Sequence, residues 1–349
     1  MALNVFYQNA INTIQGKGAL EESEAEQLIV AILEEKVSEV QLAALLSGLA
    51  VKGESVSEIT GFARGMRRFA IQLDHQQEPL VDTAGTGGDG AGTFNISTAA
   101  AFVIAGAGVP VAKHGNRAIS GRCGSADVLG ELGVRIDAAK EVVEFCLASC
   151  GITFLFAPNF HQAMKVVAPV RRVLGIRTIF NLLGPLLNPA GARCQIIGVF
   201  SPRLTKVFAE VLQFLDCRHA LIFSGDDGLD EISISGPTKM TELKDGSICT
   251  RSICPEDLGI QSRSIDEVRG GDASQNAQIL REILELKCQD AKRDIVLLNA
   301  AAGIYVSGSA HSLQAGLEAA RQSLDKGHAL VKLEQLVQCS NRSIGKERL

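Results

Sequence analysis

Apolar residues at helical spacing open the chain. Leu28, Ile29, Ile32 and Leu33 share one helical face, and so do Leu42, Leu45, Leu46 and Leu49. Ser38 with Gln41, and Ser55 with Glu58, have the spacing of a capping box and mark two helix starts. The polar stretch Asp74–Pro79 then breaks the pattern and is a candidate linker. Beyond it, short apolar runs alternate with helical stretches: Leu80–Thr83, Val109–Ala112, Ile152–Ala157, Gln195–Phe200 and Ala220–Ser224. That texture predicts βα units around a parallel sheet. Phe160–Leu187, with Met164, Val167, Val170 and Leu174, reads as helix packed outside the sheet, against the N-terminal helices. Residues 294–325 predict helix again, and the tail from Ser340 predicts fraying. The expectation is an α/β protein in two parts. Residues 1–73 form a small all-helical domain, joined by helices from about 160–187, and 74–349 form a larger α/β domain with a mainly parallel central sheet.

Composition narrows the classes. The chain has 349 residues, one large domain or two smaller ones, and a hydrophobic fraction of 46% suits a full core. The net charge is −5, and such an acidic balance speaks against nucleic acid as the main partner, since phosphate backbones need a basic surface. Nine cysteines without any CxxC read as reduced thiols of a cytoplasmic protein. The start, Met1-Ala2-Leu3-Asn4, has no basic segment followed by an apolar run, so no signal peptide is expected. The apolar run Ala99–Val111 is too short and too glycine-interrupted to span a membrane.

The first chemical signal is the loop Asp82-Thr83-Ala84-Gly85-Thr86-Gly87-Gly88-Asp89-Gly90, which follows a predicted strand. Clustered glycines let the backbone approach a ligand closely and turn N–H groups toward it. Thr93-Phe94-Asn95-Ile96-Ser97-Thr98 comes next, with Ser97 and Thr98 where a helix should begin, a natural place for an anion. Gly85, Gly87 and Gly90 also satisfy GxGxxG, but helical sequence begins only near Ile96 and no Asp or Glu lies between Asp89 and Asp127. The dinucleotide fingerprint wants its last glycine inside the helix and an acid about 20 residues on for the ribose, so it fails. The acid-free stretch carries Lys113, His114, Arg117 and Arg122 instead. The cluster Lys113-His114-Gly115-Asn116-Arg117 directly follows the strand predicted at Val109–Ala112. In a parallel sheet both loops leave the C-terminal strand ends, where ligands bind, and lysine and arginine there neutralise phosphate.

Taken together, these strings and several further ones resemble the anthranilate phosphoribosyltransferase family in order and spacing. The further strings are Gly124-Ser125-Ala126-Asp127, Pro169-Val170-Arg171, Arg177–Pro185, Asp230-Glu231 and Asn299-Ala300-Ala301. The resemblance runs from the N-terminal helices to about residue 330. It implies a fold of the nucleoside phosphorylase and phosphoribosyltransferase type, with the site between the helical and α/β parts, and a homodimer. It implies that phosphoribosyl pyrophosphate is held by Gly85, Gly88, Asp89, Thr93, Asn95, Ile96, Ser97 and Thr98, and by Lys113, His114, Gly115, Asn116, Arg117, Ala118, Ile119, Ser120, Gly121 and Cys123. Gly85, Asn116 and Arg171 match anthranilate contacts, and Ser97, Asp230 and Glu231 match ligands of Mg2+, two ions per site. No residue is expected to act as a discrete acid or base. Pyrophosphate leaves well once its charge is neutralised, and the aromatic amine loses its proton readily, so positioning and electrostatics carry the reaction. Asp226 and Asp227 are further acids beside the predicted metal ligands. The chain departs from the family at Gly121 and Cys123, where serines are usual, and at Phe160 and Gln162 beside His161.

Three other readings fit less well. A pyrimidine nucleoside phosphorylase of the same fold has a different glycine loop. A non-catalytic, nucleic-acid-binding relative predicts a basic surface and loss of Asp230 and Glu231. A nicotinamide-dependent dehydrogenase lacks its ribose acid here.

Overall fold

The computed structural model describes residues 2–118 and 123–342. Ile119, Ser120 and Gly121, expected at the phosphate site, lie outside the described residues.

Four helices come first: α1 (Ala2–Gln15), α2 (Glu22–Leu33), α3 (Glu39–Lys52) and α4 (Val56–Phe69). Both expected capping boxes form. The Ser38 hydroxyl accepts from the Gln41 N–H and the Ser55 hydroxyl from the Glu58 N–H, satisfying donors that the first helical turn leaves free. The predicted apolar faces turn inward, and Leu28, Leu45, Leu46 and Leu49 are buried. α2 and α4 pack closely because Gly61 presents no side chain; a Cβ there would lie 2.3 Å from the Glu22 carbonyl oxygen.

The sheet has seven strands: β1 (Val81–Asp82), β2 (Val111–Gly115), β3 (Ile152–Phe156), β4 (Cys194–Gly198), β5 (His219–Gly225), β6 (Thr238–Lys244) and β7 (Ser247–Ile253). Their spatial order is β3-β2-β1-β4-β5-β6-β7. The first five are parallel, and β6 and β7 add antiparallel to β5. All five strands expected from the apolar runs are present, with β1 shorter than Leu80–Thr83 and β2 starting later than Val109. The antiparallel pair was not expected. β7 is mostly exposed and polar, so it carries no apolar run to read.

Helix α5 (Ile96–Gly106) follows the glycine loop, α6 (Ser125–Glu131) follows the Lys113 loop, and α7 (Lys140–Cys150) precedes β3. The helix expected across Phe160–Leu187 is instead a chain of short pieces, Ala157–Phe160, Gln162–Lys165, Ala168–Leu174, Phe180–Leu183 and Gly184–Leu186. Gly175 in the left-handed region ends the longest piece, and prolines sit in the first turn of that piece and of two others, starting each anew. Residues 294–325 are likewise two helices, Ala291–Ser307 and Leu313–Asp325, parted at Gly308.

Two apolar clusters hold the chain together. One packs α5, α7 and the C-terminal helices on the sheet. The other joins α1–α4 to Val167, Val170, Ile179, Phe180 and Leu183, to the helix Leu204–Phe214, and to Ile197 and Ile222 of the sheet. Every loop of chemical interest leaves the C-terminal end of a parallel strand, where such sheets bind ligands.

Candidate active site

The glycine loop is shaped by residues that only glycine accommodates easily. Gly87, Gly88, Gly90 and Gly92 all have φ between 65° and 78°. Its two ends are tied down. The Thr86 N–H donates to the Gly198 carbonyl at the end of β4 (2.9 Å), and the Gly270 N–H donates to the Gly92 carbonyl (2.9 Å). Asn95 then takes the N-cap position of α5, and the helix starts at Ile96 as expected.

Lys113 is the central charge. It lies on β2 and is buried, and its Nζ donates to the Thr83 carbonyl (2.8 Å), the Thr83 hydroxyl (3.1 Å) and the Ser97 hydroxyl (3.3 Å). The side chain thus spans the end of β1 and the start of α5. Burial lowers the lysine's pKa, and the carboxylates of Asp82, Glu231 and Asp230 oppose that shift.

Facing it is an acidic group from two loops. Asp230 Oδ2 accepts the Gly87 N–H (2.8 Å), Glu231 Oε1 accepts the Ser97 N–H (3.1 Å), and the Asp230 N–H donates to Asp89 Oδ2 (3.4 Å). Burial pushes Asp230 up to about 7 and Glu231 to about 8, and the neighbouring carboxylates add to both shifts. The Ser97 N–H, expected to be free for an anion, is therefore taken by Glu231. Asn299 fixes the acidic loop from below, its Oδ1 accepting the Ile232 N–H (2.9 Å) and its Nδ2 donating to the Ile232 carbonyl (3.1 Å). Of the other two acids beside this pair, Asp227 is engaged elsewhere, by the hydroxyls of Ser233 and Ser235 (2.5 Å each). Among the described residues no three His, Cys, Asp or Glu side chains converge as a metal-binding group.

The Lys113 loop closes on itself through Asp127, which accepts from Arg117 (3.0 Å), the Ala118 N–H (3.0 Å) and the Gly124 N–H (2.9 Å). Asn116 Oδ1 accepts the Arg117 N–H (2.8 Å). The Cys123 thiol donates to Asn95 Oδ1 (3.4 Å) and to the Gly124 carbonyl (3.5 Å). His114 and His161 meet edge to face with ring centres 5.1 Å apart, and burial lowers them to about 3 and about 4. Both are neutral at pH 7, and the Nε2 of each lacks a hydrogen-bond partner among the described residues. Arg171 is apart from this assembly; its guanidinium lies over the Phe180 ring, 5.4 Å from the centroid, and among the described residues no hydrogen bond links it to Gly85 or Asn116.

Three residues escaped the sequence reading. Asp82 is fully buried beneath the site, accepting the His114 N–H on Oδ1 (3.0 Å), while Oδ2 has no hydrogen-bond partner among the described residues. Arg177, seen only as part of a string, reaches the Gly88 carbonyl and stacks 4.1 Å from the Phe200 ring centre. Asn276 joins Asn95 from a distant helix. The string Gly270-Gly271-Asp272 ahead of it, a turn followed by a helix cap, was the available signal.

The chain matches the helical bundle domain of a glycosyl transferase family over residues 8–70 and the a/b domain of that family over residues 77–330. It is 50% identical over 331 residues to the anthranilate phosphoribosyltransferase of Pelotomaculum thermopropionicum, covering 95% of this chain and 96% of the relative. The chain belongs to the anthranilate phosphoribosyltransferase family. It is accordingly an enzyme, a pentosyltransferase. The enzyme of that name from Moorella thermoacetica is 51% identical over 91% of this chain and 94% of its own length. Among solved structures, anthranilate phosphoribosyltransferase from Thermus thermophilus superposes with a TM-score of 0.91 at 42% identity, over 95% of this chain and 99% of that one. The Saccharomyces cerevisiae enzyme, in complex with phosphoribosyl pyrophosphate and Mg, has a TM-score of 0.88 at 28% identity, over 96% of this chain and 97% of that one.

Proposed function

We propose that this chain transfers the 5-phosphoribosyl group of phosphoribosyl pyrophosphate to the amine of anthranilate, giving N-(5-phosphoribosyl)anthranilate and pyrophosphate, a step of tryptophan biosynthesis. The observation that carries this reading is the buried Lys113 ammonium, set between the glycine loop, the start of α5 and the Asp230–Glu231 pair. Such a cradle suits a polyanion whose leaving group must be neutralised. The glycine loop, Asn95–Thr98, and the Lys113–Ala118 stretch with Cys123 hold the phosphates and ribose. Gly85, Asn116 and Arg171 receive anthranilate, the arginine gripping its carboxylate with two donors. The amine then displaces pyrophosphate at the anomeric carbon, and orientation supplies most of the acceleration.

The acidic group suits Mg2+. Asp89, Asp230 and Glu231 are hard oxygen donors, and the crowding that raises Asp230 and Glu231 is relieved by a divalent cation. Magnesium prefers one or two carboxylates completed by substrate oxygens and water, which agrees with the absence of a full protein cage among the described residues. Ser97, Asp230 and Glu231 would hold it, two ions per site, and its role is to neutralise pyrophosphate. Two structures of the yeast relative, one in complex with phosphoribosyl pyrophosphate and Mg and one in complex with 4-fluoroanthranilate, support the reading.

The chain acts as a homodimer on this reading. Val5, Val40, Val51 and Val173 stand 59%, 80%, 90% and 87% exposed on α1, α3 and the helix Ala168–Leu174. Sedimentation is expected to give twice the chain mass, and the monomer mass would remove this part. A cytoplasmic location belongs to the same reading; no described helix is long and apolar enough to cross a membrane. The main test is the loss of anthranilate fluorescence with purified protein, phosphoribosyl pyrophosphate and Mg2+. Decay should require all three components and fall at least 100-fold, on the order expected for losing key electrostatic groups, in Asp230→Ala/Glu231→Ala. No decay with folded protein and saturating substrates refutes the assignment.

A further inference from the structure

The start of α5 is clamped by a segment from far along the chain. Residues 268–271 lie against 92–94: the Phe94 N–H donates to the Val268 carbonyl (3.3 Å), Thr93 forms a bridge with Arg269, and the Gly270 N–H donates to the Gly92 carbonyl (2.9 Å). The approach needs glycine, since a Cβ on Gly270 would fall 2.6 Å from the backbone of Phe94. The helix Ala273–Leu284 follows, capped by the Asp272 side chain, and carries Asn276 at its fourth position.

Asn276 is 1% exposed, and its amide has a defined polarity. Its Oδ1 accepts the Gly271 N–H (2.8 Å), so its Nδ2 is left to donate to Asn95 Oδ1 (3.0 Å). An amide has one oxygen and one nitrogen, so this choice propagates. With its oxygen directed at Asn276, Asn95 presents Nδ2 to the Cys123 carbonyl (3.3 Å), while the Cys123 thiol donates back to Asn95 Oδ1 (3.4 Å). A backbone N–H at Gly271 thereby sets the orientation of Asn95 and, through it, the place where the chain returns at Cys123.

We propose that Asn276 is a positioning residue for phosphoribosyl pyrophosphate: it fixes the amide polarity of Asn95 and so holds the Thr93–Thr98 segment and Cys123 in register around the phosphate site. In this relay the Cys123 thiol is engaged with Asn95 Oδ1 and the Gly124 carbonyl, a task for which a weak donor suffices. The inference rests on the proposed function.

The decisive variant is Asn276→Asp, of the same shape. It keeps the acceptor for Gly271 and turns an acceptor toward Asn95, reversing the relay. The expected result is about a tenfold rise in KM for phosphoribosyl pyrophosphate, with KM for anthranilate and kcat within about twofold. Calorimetric titration with phosphoribosyl pyrophosphate should show the same loss of affinity. Should the buried carboxylate prevent folding, Asn276→Ala replaces it with the same expectation. In an Asn95→Ala background either change should cost less than about twofold more, because the relay is already cut. Unchanged affinity in a folded variant, losses that multiply with those of Asn95→Ala, or equal losses for both substrates together with a lowered melting temperature overturn the proposal. If the unaltered chain binds phosphoribosyl pyrophosphate, shows the coupling, and consumes no anthranilate, the relay stands and the assigned reaction falls.

Discussion

His161 packs edge to face on His114 beside the candidate phosphate site, and both imidazoles are buried as neutral rings. Removing them from water depresses His161 to about 4, whereas an unfolded chain titrates near 6.5. Above pH 6.5 neither state takes up a proton at this ring and it adds no pH dependence. Below pH 6.5 the unfolded chain binds protons that the folded one refuses, so stability falls as pH drops toward 4. His114, at about 3, acts in the same direction. Asp82, raised to about 6 by burial, opposes them, because between its unfolded value near 3.9 and pH 6 the folded chain holds a proton the unfolded one has released. In His161→Gln the difference from the unaltered chain should be flat above pH 7 and should shift toward the variant by up to roughly 1.4 kcal/mol per pH unit below 6.5. Urea unfolding at a series of pH values measures it; a pH-independent difference would show that His161 takes up its proton in the folded state. Legibility at this scale followed chemistry. Lys113 stood out because a basic cluster follows a predicted strand in an acid-free stretch, whereas Asp230 and Glu231 were picked out from the neighbouring acids only by the family resemblance. Asp82 and Asn276 did not, because they act from the core, on backbone and side chains distant in sequence. Nor did Gly198, which is required because a Cβ there would sit 1.5 Å from the Asp230 carbonyl oxygen, a clash between the end of β4 and the acidic loop that follows β5.

Elements were readable where their signals are local. The boxes Ser38–Gln41 and Ser55–Glu58 lie within four residues, so sequence alone locates the starts of α3 and α4. What spacing could not convey is that Glu58 does more than cap. It is fully buried, Oε1 accepts the Leu20 N–H ahead of α2 (3.0 Å), and Oε2 accepts both the Ser55 N–H (2.8 Å) and Lys52 Nζ at the end of α3 (2.9 Å). One carboxylate therefore joins three helices. Glu58→Ala strands a nearly buried ammonium and two N–H groups, and breaking such a pair costs about 3–5 kcal/mol. A fall in melting temperature of roughly 4–7 °C is expected for a chain of this size, and less for Glu58→Gln, which keeps one acceptor. A change of only a degree or two in Glu58→Ala would mean that the N-terminal helices do not depend on this junction. The pair β6–β7 was illegible for the opposite reason. The edge strand β7 is defended by Arg251 and its exposed hydroxyls, and its interior neighbour β6 buries Thr238 and Thr241 beside only two apolar side chains, Met240 and Leu243, so neither carries the apolar run that reveals an interior strand.

On the scale of the whole molecule, the parallel strands deliver their loops to one end of the sheet, while the N-terminal helices and the broken segment 157–186 cover one of its faces. Arg177 connects these two parts. It springs from the turn between the helices Ala168–Leu174 and Phe180–Leu183, stacks on Phe200 just past β4, and donates to the Gly88 carbonyl. The glycine loop, whose positive φ values leave it few side chains with which to pack, is thus held from the helical side by one planar cation. A cation on an aromatic face at an exposed site contributes about 0.5–1 kcal/mol and a hydrogen bond about 1 kcal/mol. Their combined loss in Arg177→Ala corresponds to roughly a tenfold rise in KM for phosphoribosyl pyrophosphate. Because Arg177 is exposed, the melting temperature should move by less than about 2 °C, within the range of ordinary surface substitutions. Arg177→Lys should rescue little, since an ammonium lacks the flat face that lies on Phe200. Phe200→Leu should reproduce most of the effect without touching the arginine. If Arg177→Ala binds the substrate as well as the unaltered chain does, the glycine loop keeps its shape through Thr86, Gly92 and Asp230 alone, and the helical side contributes nothing to phosphate binding.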